Sequence, residues 1–156
     1  MRAPPGPDLV REIGEHPLFR GLDTAFVHAV AVDAAEQRFE VDERLATEGT
    51  PADIFYLVIE GKVALEIGAA DQPHLTVETV GAGEVLGWSW LVPPHRWRFD
   101  ARAVKATRTI VLQGEVVRQT LAHHPTWGYL FLIRFMPVLA DRLENTRVQL
   151  LDLHAR

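Results

Sequence analysis

Cysteine is absent from the 156 residues, and its absence excludes disulfides, thiolate zinc sites, iron–sulfur clusters and a cysteine nucleophile together. No apolar run approaches the roughly 20 residues that a membrane span requires. The opening MRAPPGPDLV also lacks the apolar core of a secretory signal, so a cytoplasmic location with no membrane partner is the expectation. Metal-ligand spacing is missing as well. His123 and His124 are adjacent and point to different sides of a helix, while His16, His28, His74, His95 and His154 show no HxH or HxxxH pattern. No nucleophile–base pair and no phosphate-cradling GxxxxGK[ST] loop occurs. The expectation is a non-enzyme without metal.

What remains is the composition of one ordinary globular domain, 47% hydrophobic with a formal net charge of −5. The charge is unevenly spread: residues 1–72 carry 14 acids and 6 bases, residues 73–156 carry 7 acids and 10 bases. Arg96, Arg98, Arg102, Lys105 and Arg108 fall within thirteen residues that hold a single acid, Asp100, a local field that favours a negative ligand. The overall negative charge, with no basic helix or aromatic ladder, argues against a nucleic-acid partner.

Along the chain, residues 1–7 are proline-rich, Asp8 reads as the N-cap of a helix ending near Gly14, and Asp23 as the cap of a second helix over 24–32 with Phe26, Val27, Val30 and Ala31 inward. From Ala35 the period shortens. Runs at 36–40, 44–48, 53–60, 62–68, 74–80, 84–87, 100–106 and 108–113 are rich in β-branched and aromatic residues and separated by turn residues, one such turn spanning 68–72. Eight short strands predict a closed antiparallel barrel or jelly roll. After Gly114 the pattern is helical again, over 115–123 and then from Thr126 to about Leu153. Leu132, Met136, Leu139, Leu143, Thr146, Leu150 and Leu153 follow a 4-3-4-3-4-3 spacing, a heptad seam that predicts a homodimer interface on the long helix. Trp127, Leu130, Phe131, Ile133 and Phe135 lie off that seam and are expected against the barrel; Pro137 is expected to kink the helix.

One stretch reads as a ligand site: Gly81 to Ala103, GAGEVLGWSWLVPPHRWRFDARA. Its glycines allow bare main-chain N–H groups to approach a small anion, and Arg96, Arg98 and Arg102 offer fork-shaped cationic donors. The alternative reading of the same residues is a tight inter-strand turn followed by a solvated basic loop.

The order helix, eight-stranded roll, short helix, long helix resembles the cyclic-nucleotide-binding domain of the catabolite activator protein (Crp/Fnr) family over about residues 17–153. Phe19-Arg20-Gly21-Leu22 is similar to that family's entry turn. The segment from Glu48-Gly49-Thr50-Pro51 through Val58, followed by Gly61-Lys62-Val63, is similar to its strand-turn-strand signature. The resemblance implies a mainly β fold with flanking helices: a helical segment over 1–16, a double-stranded β-helix (jelly roll) over 17–124, and a long dimerisation helix over 125–156. It further implies a regulatory sensor that acts through conformational change of a homodimer. In the family's transcription factors a winged helix-turn-helix follows the long helix; this sequence stops at Arg156, so no helix-turn-helix domain and no direct DNA binding are expected.

For the site, the resemblance implies a phosphate-binding cassette formed by Gly83, Glu84, Val85, Leu86, Gly87 and Trp88 with Arg96, Arg98 and Phe99. Arg98 aligns with the phosphate-gripping arginine, and Thr146 with the hydroxyl residue that touches the adenine. Trp88 replaces the carboxylate that accepts from the ribose hydroxyl, Phe99 replaces a hydroxyl residue, and Asp100 adds a negative charge, which requires Arg96 or Arg102 as a partner. Each lost hydrogen bond forfeits about 1–3 kcal/mol. These departures leave three expectations side by side: a cyclic nucleotide bound weakly, another small anionic or aromatic ligand, or a pocket filled by Trp88 and Phe99. A protein-interaction scaffold with a filled pocket and a truncated Crp/Fnr-type regulator are the functional alternatives. For Thr146 the alternative role is to fix the register of the seam.

Overall fold

The structure is a computed structural model that describes residues 6–68 and 74–154, without the side chain of Gln149. The first proline-rich residues, most of the turn expected at 68–72 and the last two residues lie outside the described part.

Helix α1 spans Pro7–Glu15 and α2 Thr24–Val30. Proline at the first helical position, with a fixed backbone angle and no N–H to leave unsatisfied, starts α1 one residue before the expected cap, so Gly6 is the cap and Asp8 lies in the first turn. Asp23 caps α2 as expected, its carboxylate accepting from Ala25 N–H at 2.8 Å. Eight strands follow: β1 Ala35–Phe39, β2 Arg44–Ala46, β3 Ile54–Glu60, β4 Lys62–Ile67, β5 Leu75–Gly81, β6 Val85–Leu86, β7 Asp100–Ala103 and β8 Thr107–Gln113. They form two four-stranded antiparallel sheets, β1-β8-β3-β6 and β2-β7-β4-β5. Helices α3, Gly114–His123, and α4, Pro125–His154, complete the chain.

The first sheet is the middle layer, and alternation along β3 and β8 divides the interior in two. Phe55, Leu57, Ile110 and Leu112 face the helices, where they meet Ile13, Phe19, Phe26, Val30, Phe131 and Phe135. Tyr56, Val58 and Val111 face the second sheet and meet Phe39, Val63, Leu65, Trp97 and Phe99. In this inner core the Tyr56 hydroxyl donates to the Leu45 carbonyl at 2.8 Å, and burial pushes its pKa up to about 12. The chain is thus a jelly roll with helices packed on one sheet.

Phe131 and Phe135 are buried and hold the first part of α4 against the helix-side core, whereas from Leu143 onward every α4 side chain described is exposed. Pro137 sits inside this helix.

Candidate functional site

The glycine turn between β5 and β6 spends its own amides. Gly83 N–H donates to Val58 O at 2.9 Å and Glu84 N–H to Gly81 O at 3.1 Å, while Gly81 N–H donates to the Glu84 carboxylate at 3.2 Å. The expectation of bare N–H groups waiting for an anion is therefore corrected for these three. Gly87 does require its glycine, with φ at 106°, but the space beside it is taken: the Trp97 ring lies where a β-carbon would stand, 2.9 Å from Cη2. Leu86 and Trp97 are both in the core between the sheets.

The tryptophans that follow go to three places. Trp90 stacks on Phe55 with ring centroids 4.3 Å apart, in the helix-side core. Trp97 turns into the core between the sheets, near Tyr56 and Phe99. Only Trp88 stays half-buried beside open space, with the Arg98 guanidinium 5.6 Å from its ring centroid.

The arginines separate in the same way. Arg96 donates to Gly49 O at 2.7 Å, and an isolated antiparallel bridge ties it to Pro51, away from Arg98. Arg102 is held across the second sheet by the Glu66 carboxylate, through bonds of 3.1 Å from Nε and Nη2, and by Asp42 at 2.8 Å. These contacts raise its pKa, the hydrogen bond to Glu66 most. Asp100 takes neither of the partners expected for it: it accepts from Glu48 N–H at 2.8 Å and faces His74 at 3.4 Å and Arg44 at 3.8 Å. Its strand position carries it to Arg44 of β2 and to His74 just before β5, not to Arg96 or Arg102.

Arg98 and Trp88 form part of a cavity of about 290 Å³ between the roll and α4. The roll contributes Leu65 and Ile67 from β4, Leu75, Val77 and Glu78 from β5, and Phe99. The far wall is helical: Arg142, Asn145, Thr146, Leu150 and Leu153. The Thr146 hydroxyl donates to the Arg142 carbonyl one turn back, at 2.9 Å.

Arg142 is the residue that sequence reasoning missed. Its side chain is 14% exposed and lies 3.3 Å from the Glu78 carboxylate, donates to Val85 O at 3.2 Å and stands 5.6 Å from the Phe99 ring centroid. Burial lowers its pKa, opposed by the charges of Glu78 and Glu84. Its Nε and Nη1 are buried without a well-formed hydrogen bond. Asn145 donates to the other Glu78 oxygen at 3.1 Å. Arg142 lies four residues before Thr146 and so shares its helix face, a spacing that could have drawn attention to it.

On the other side of Arg142 a wider cleft of about 950 Å³ is bordered by Gly83, Glu84 and Val85, by Asp141, and by His16 after α1. His16 is buried; Leu18 N–H donates to its Nδ1 at 3.2 Å, so Nε2 carries the proton that points to Glu84 O, also at 3.2 Å. Burial lowers its pKa. Of the ten sequence candidates for ligand contact, the cavity therefore unites Trp88, Arg98, Phe99 and Thr146; Gly83, Glu84 and Val85 border the wider cleft; Leu86, Gly87 and Arg96 reach neither. Of the seam, Leu132, Met136, Leu143, Thr146, Leu150 and Leu153 are exposed, whereas Leu139 is partly buried against the helix-side core. Among the described residues no group of three or more His, Asp or Glu side chains is placed to hold a metal.

Comparison with known proteins places this geometry. The chain is 24% identical over 136 residues to a CRP-like cAMP-activated global transcriptional regulator of Mycobacterium tuberculosis, covering 87% of this chain and 59% of the relative. It thus spans about three fifths of that relative's length. A cyclic nucleotide-binding domain from Methylobacillus flagellatus shares the fold with a TM-score of 0.78 at 24% identity, over 93% of this chain and 84% of the other. A solved structure from Geobacter metallireducens does so with a TM-score of 0.75 at 23% identity, over 92% and 99%. The sequence profile of the cyclic nucleotide-binding domain matches residues 36–124, more than half of the chain. With that match over the roll, and the same architecture in solved relatives, the chain belongs to the cyclic nucleotide-binding domain family.

Proposed function

We propose that this chain is a non-enzymatic sensor module that takes a small ligand between the roll and α4 and signals as a homodimer paired along that helix. The observation that carries the proposal is the shared wall: Thr146, Leu150 and Leu153 border the cavity and belong to the heptad seam. An occupant touching them acts directly on the helix that pairs. It shifts the pairing only to the extent that it binds one arrangement more tightly than the other. Direct DNA contact is outside the proposal, because Arg102, Arg108 and Arg142 are already engaged with carboxylates.

Spin labels on the exposed outer face of α4, with distance distributions recorded with and without a screened ligand, test this. A changed inter-helix distance that disappears when Ile67→Trp, outside the seam, fills the cavity supports it. A monomer, or a dimer indifferent to every bound compound, rejects it. The second reading, an interaction scaffold with a filled pocket, draws on the Trp97 ring over Gly87; it requires that no compound shift the melting temperature.

A further inference from the structure

The cavity between β4, β5 and α4 has a chemistry that departs from nucleotide recognition. Eight of its thirteen lining residues are apolar, among them Leu65, Val77, Trp88, Phe99 and Leu150. Its volume, about 290 Å³, lies at the small end of the roughly 300–1,000 Å³ usual for ligand sites.

The polar groups are few and mostly committed. Glu78 is shared between Arg142 and Asn145, the Thr146 hydroxyl donates to its own helix, and the Glu84 carboxylate holds Gly81 beside the other cleft. Among the described residues no uncommitted carboxylate lines the cavity to accept from a sugar hydroxyl, the Gly81, Gly83 and Glu84 amides are already spent, and Trp97 packs against Gly87. Arg98 is the exception. It is exposed, and among the described residues it makes neither an ion pair nor a hydrogen bond, only its contact with the Trp88 face. Deeper in, Arg142 Nε is buried without an acceptor.

A carboxylate is satisfied by one guanidinium fork, whereas a cyclic nucleotide brings a phosphate, a ribose hydroxyl and a base edge, each of which pays for burial unless matched. We infer that this cavity selects a compact organic acid, with an aromatic or branched apolar body, over a cyclic nucleotide. Its carboxylate is gripped by Arg98, and its body is seated between Trp88, Phe99 and the α4 leucines. The buried Arg142 Nε supplies a second donor to an ether or carbonyl oxygen where the acid carries one. The inference rests on the proposed ligand-sensing role and narrows it to a class.

The test is isothermal titration of the full chain with 2-naphthoate, its uncharged counterpart 2-naphthamide, phenylacetate, cyclic AMP and cyclic GMP. The expected result is that 2-naphthoate binds at least tenfold more tightly than 2-naphthamide and than either cyclic nucleotide. Arg98→Gln should remove the preference for the acid over the amide, and Ile67→Trp, which fills the mouth of the cavity from β4, should abolish binding. Both sites are exposed, and circular dichroism melts establish that the variants fold. Equal affinity for acid and amide overturns the inference, as does an acid preference that survives Arg98→Gln, or a cyclic nucleotide that binds best. In each of those cases the sensor reading stands, because a ligand still binds. Failure of every compound, with Ile67→Trp indistinguishable from wild type, overturns both.

Discussion

The Trp97 ring closes over Gly87: a β-carbon at Gly87 would meet Trp97 Cη2 at 2.9 Å, Cζ3 at 3.0 Å and Phe55 Cβ at 3.3 Å. Gly87→Ala therefore adds a steric clash to a backbone angle that only glycine adopts freely, and is expected to cost about 2–4 kcal/mol. Trp97→Ala should cost about 3–5 kcal/mol through the cavity it leaves. Because the second change removes the obstacle to the first, the double variant should be more stable than the sum of the two by about 1 kcal/mol or more. Urea denaturation of the four proteins measures this; strict additivity would mean that the two residues do not compete for the same space.

Arg142 and Glu78 form a second coupled pair, of opposite charge and mostly buried, with side chains 14% and 19% exposed. Removing the carboxylate alone strands a desolvated cation, so Glu78→Gln should destabilise by about 2–3 kcal/mol, somewhat below the fully buried case. Arg142→Met keeps the contact with Phe99 and abolishes the charge. Combined with Glu78→Gln it should lie closer to wild type than Glu78→Gln alone. Chemical denaturation midpoints at matched pH decide the order.

His16 gives the fold an acid-side sensitivity. Its pKa is lowered in the folded state by burial, so between that lowered value and the ordinary 6.5 the unfolded chain binds more protons. The associated stability is complete above about pH 6.5 and is lost as the pH falls through the folded value. The melting temperature should decline from pH 7 to pH 5, with a shallower decline in His16→Asn. A melting temperature that rises on acidification in wild type but not in the variant would reverse the assigned sign.

Leu143 is 65% exposed in the middle of the α4 seam. If copies pair along this seam, Leu143→Asp places a charge in the interface on both chains and should convert a dimer to a monomer in light scattering, with circular dichroism unchanged. An unaltered mass would move the interface elsewhere.

The jelly roll was legible because period-2 runs such as Val63, Leu65 and the stretch Ile54–Ile59 are long enough to declare two buried faces. The cassette was less legible. Gly87 announces its backbone angle by being glycine, yet nothing local reveals that Trp97, and not Trp88, fills the space beside it. That depends on the route of ten residues in which Trp90 goes to one core and Trp97 to the other. Arg96 and Arg102 looked like ligand donors because charge is visible in a sequence while its partner is not; Gly49 and Glu66 lie far away in the chain. Arg142 had the opposite fate. Between Asp141 and Leu143 it resembled one more solvated helix charge, and only the docking of α4 near β5 buries it.

Helix α4 is clamped at one end by Phe131 and Phe135, and beyond Arg142 it is tied to the roll by the Asn145–Glu78 bond while every side chain described from Leu143 onward is exposed. A rod held that way magnifies small displacements at its support. About twelve residues separate Arg142 from His154, roughly 18 Å of helix, so a pivot of about 10° at the root sweeps the tip by about 3 Å. In the proposed sensor, an occupant too slight to rearrange the roll thus displaces the tip of α4 by a distance comparable to a side chain's width.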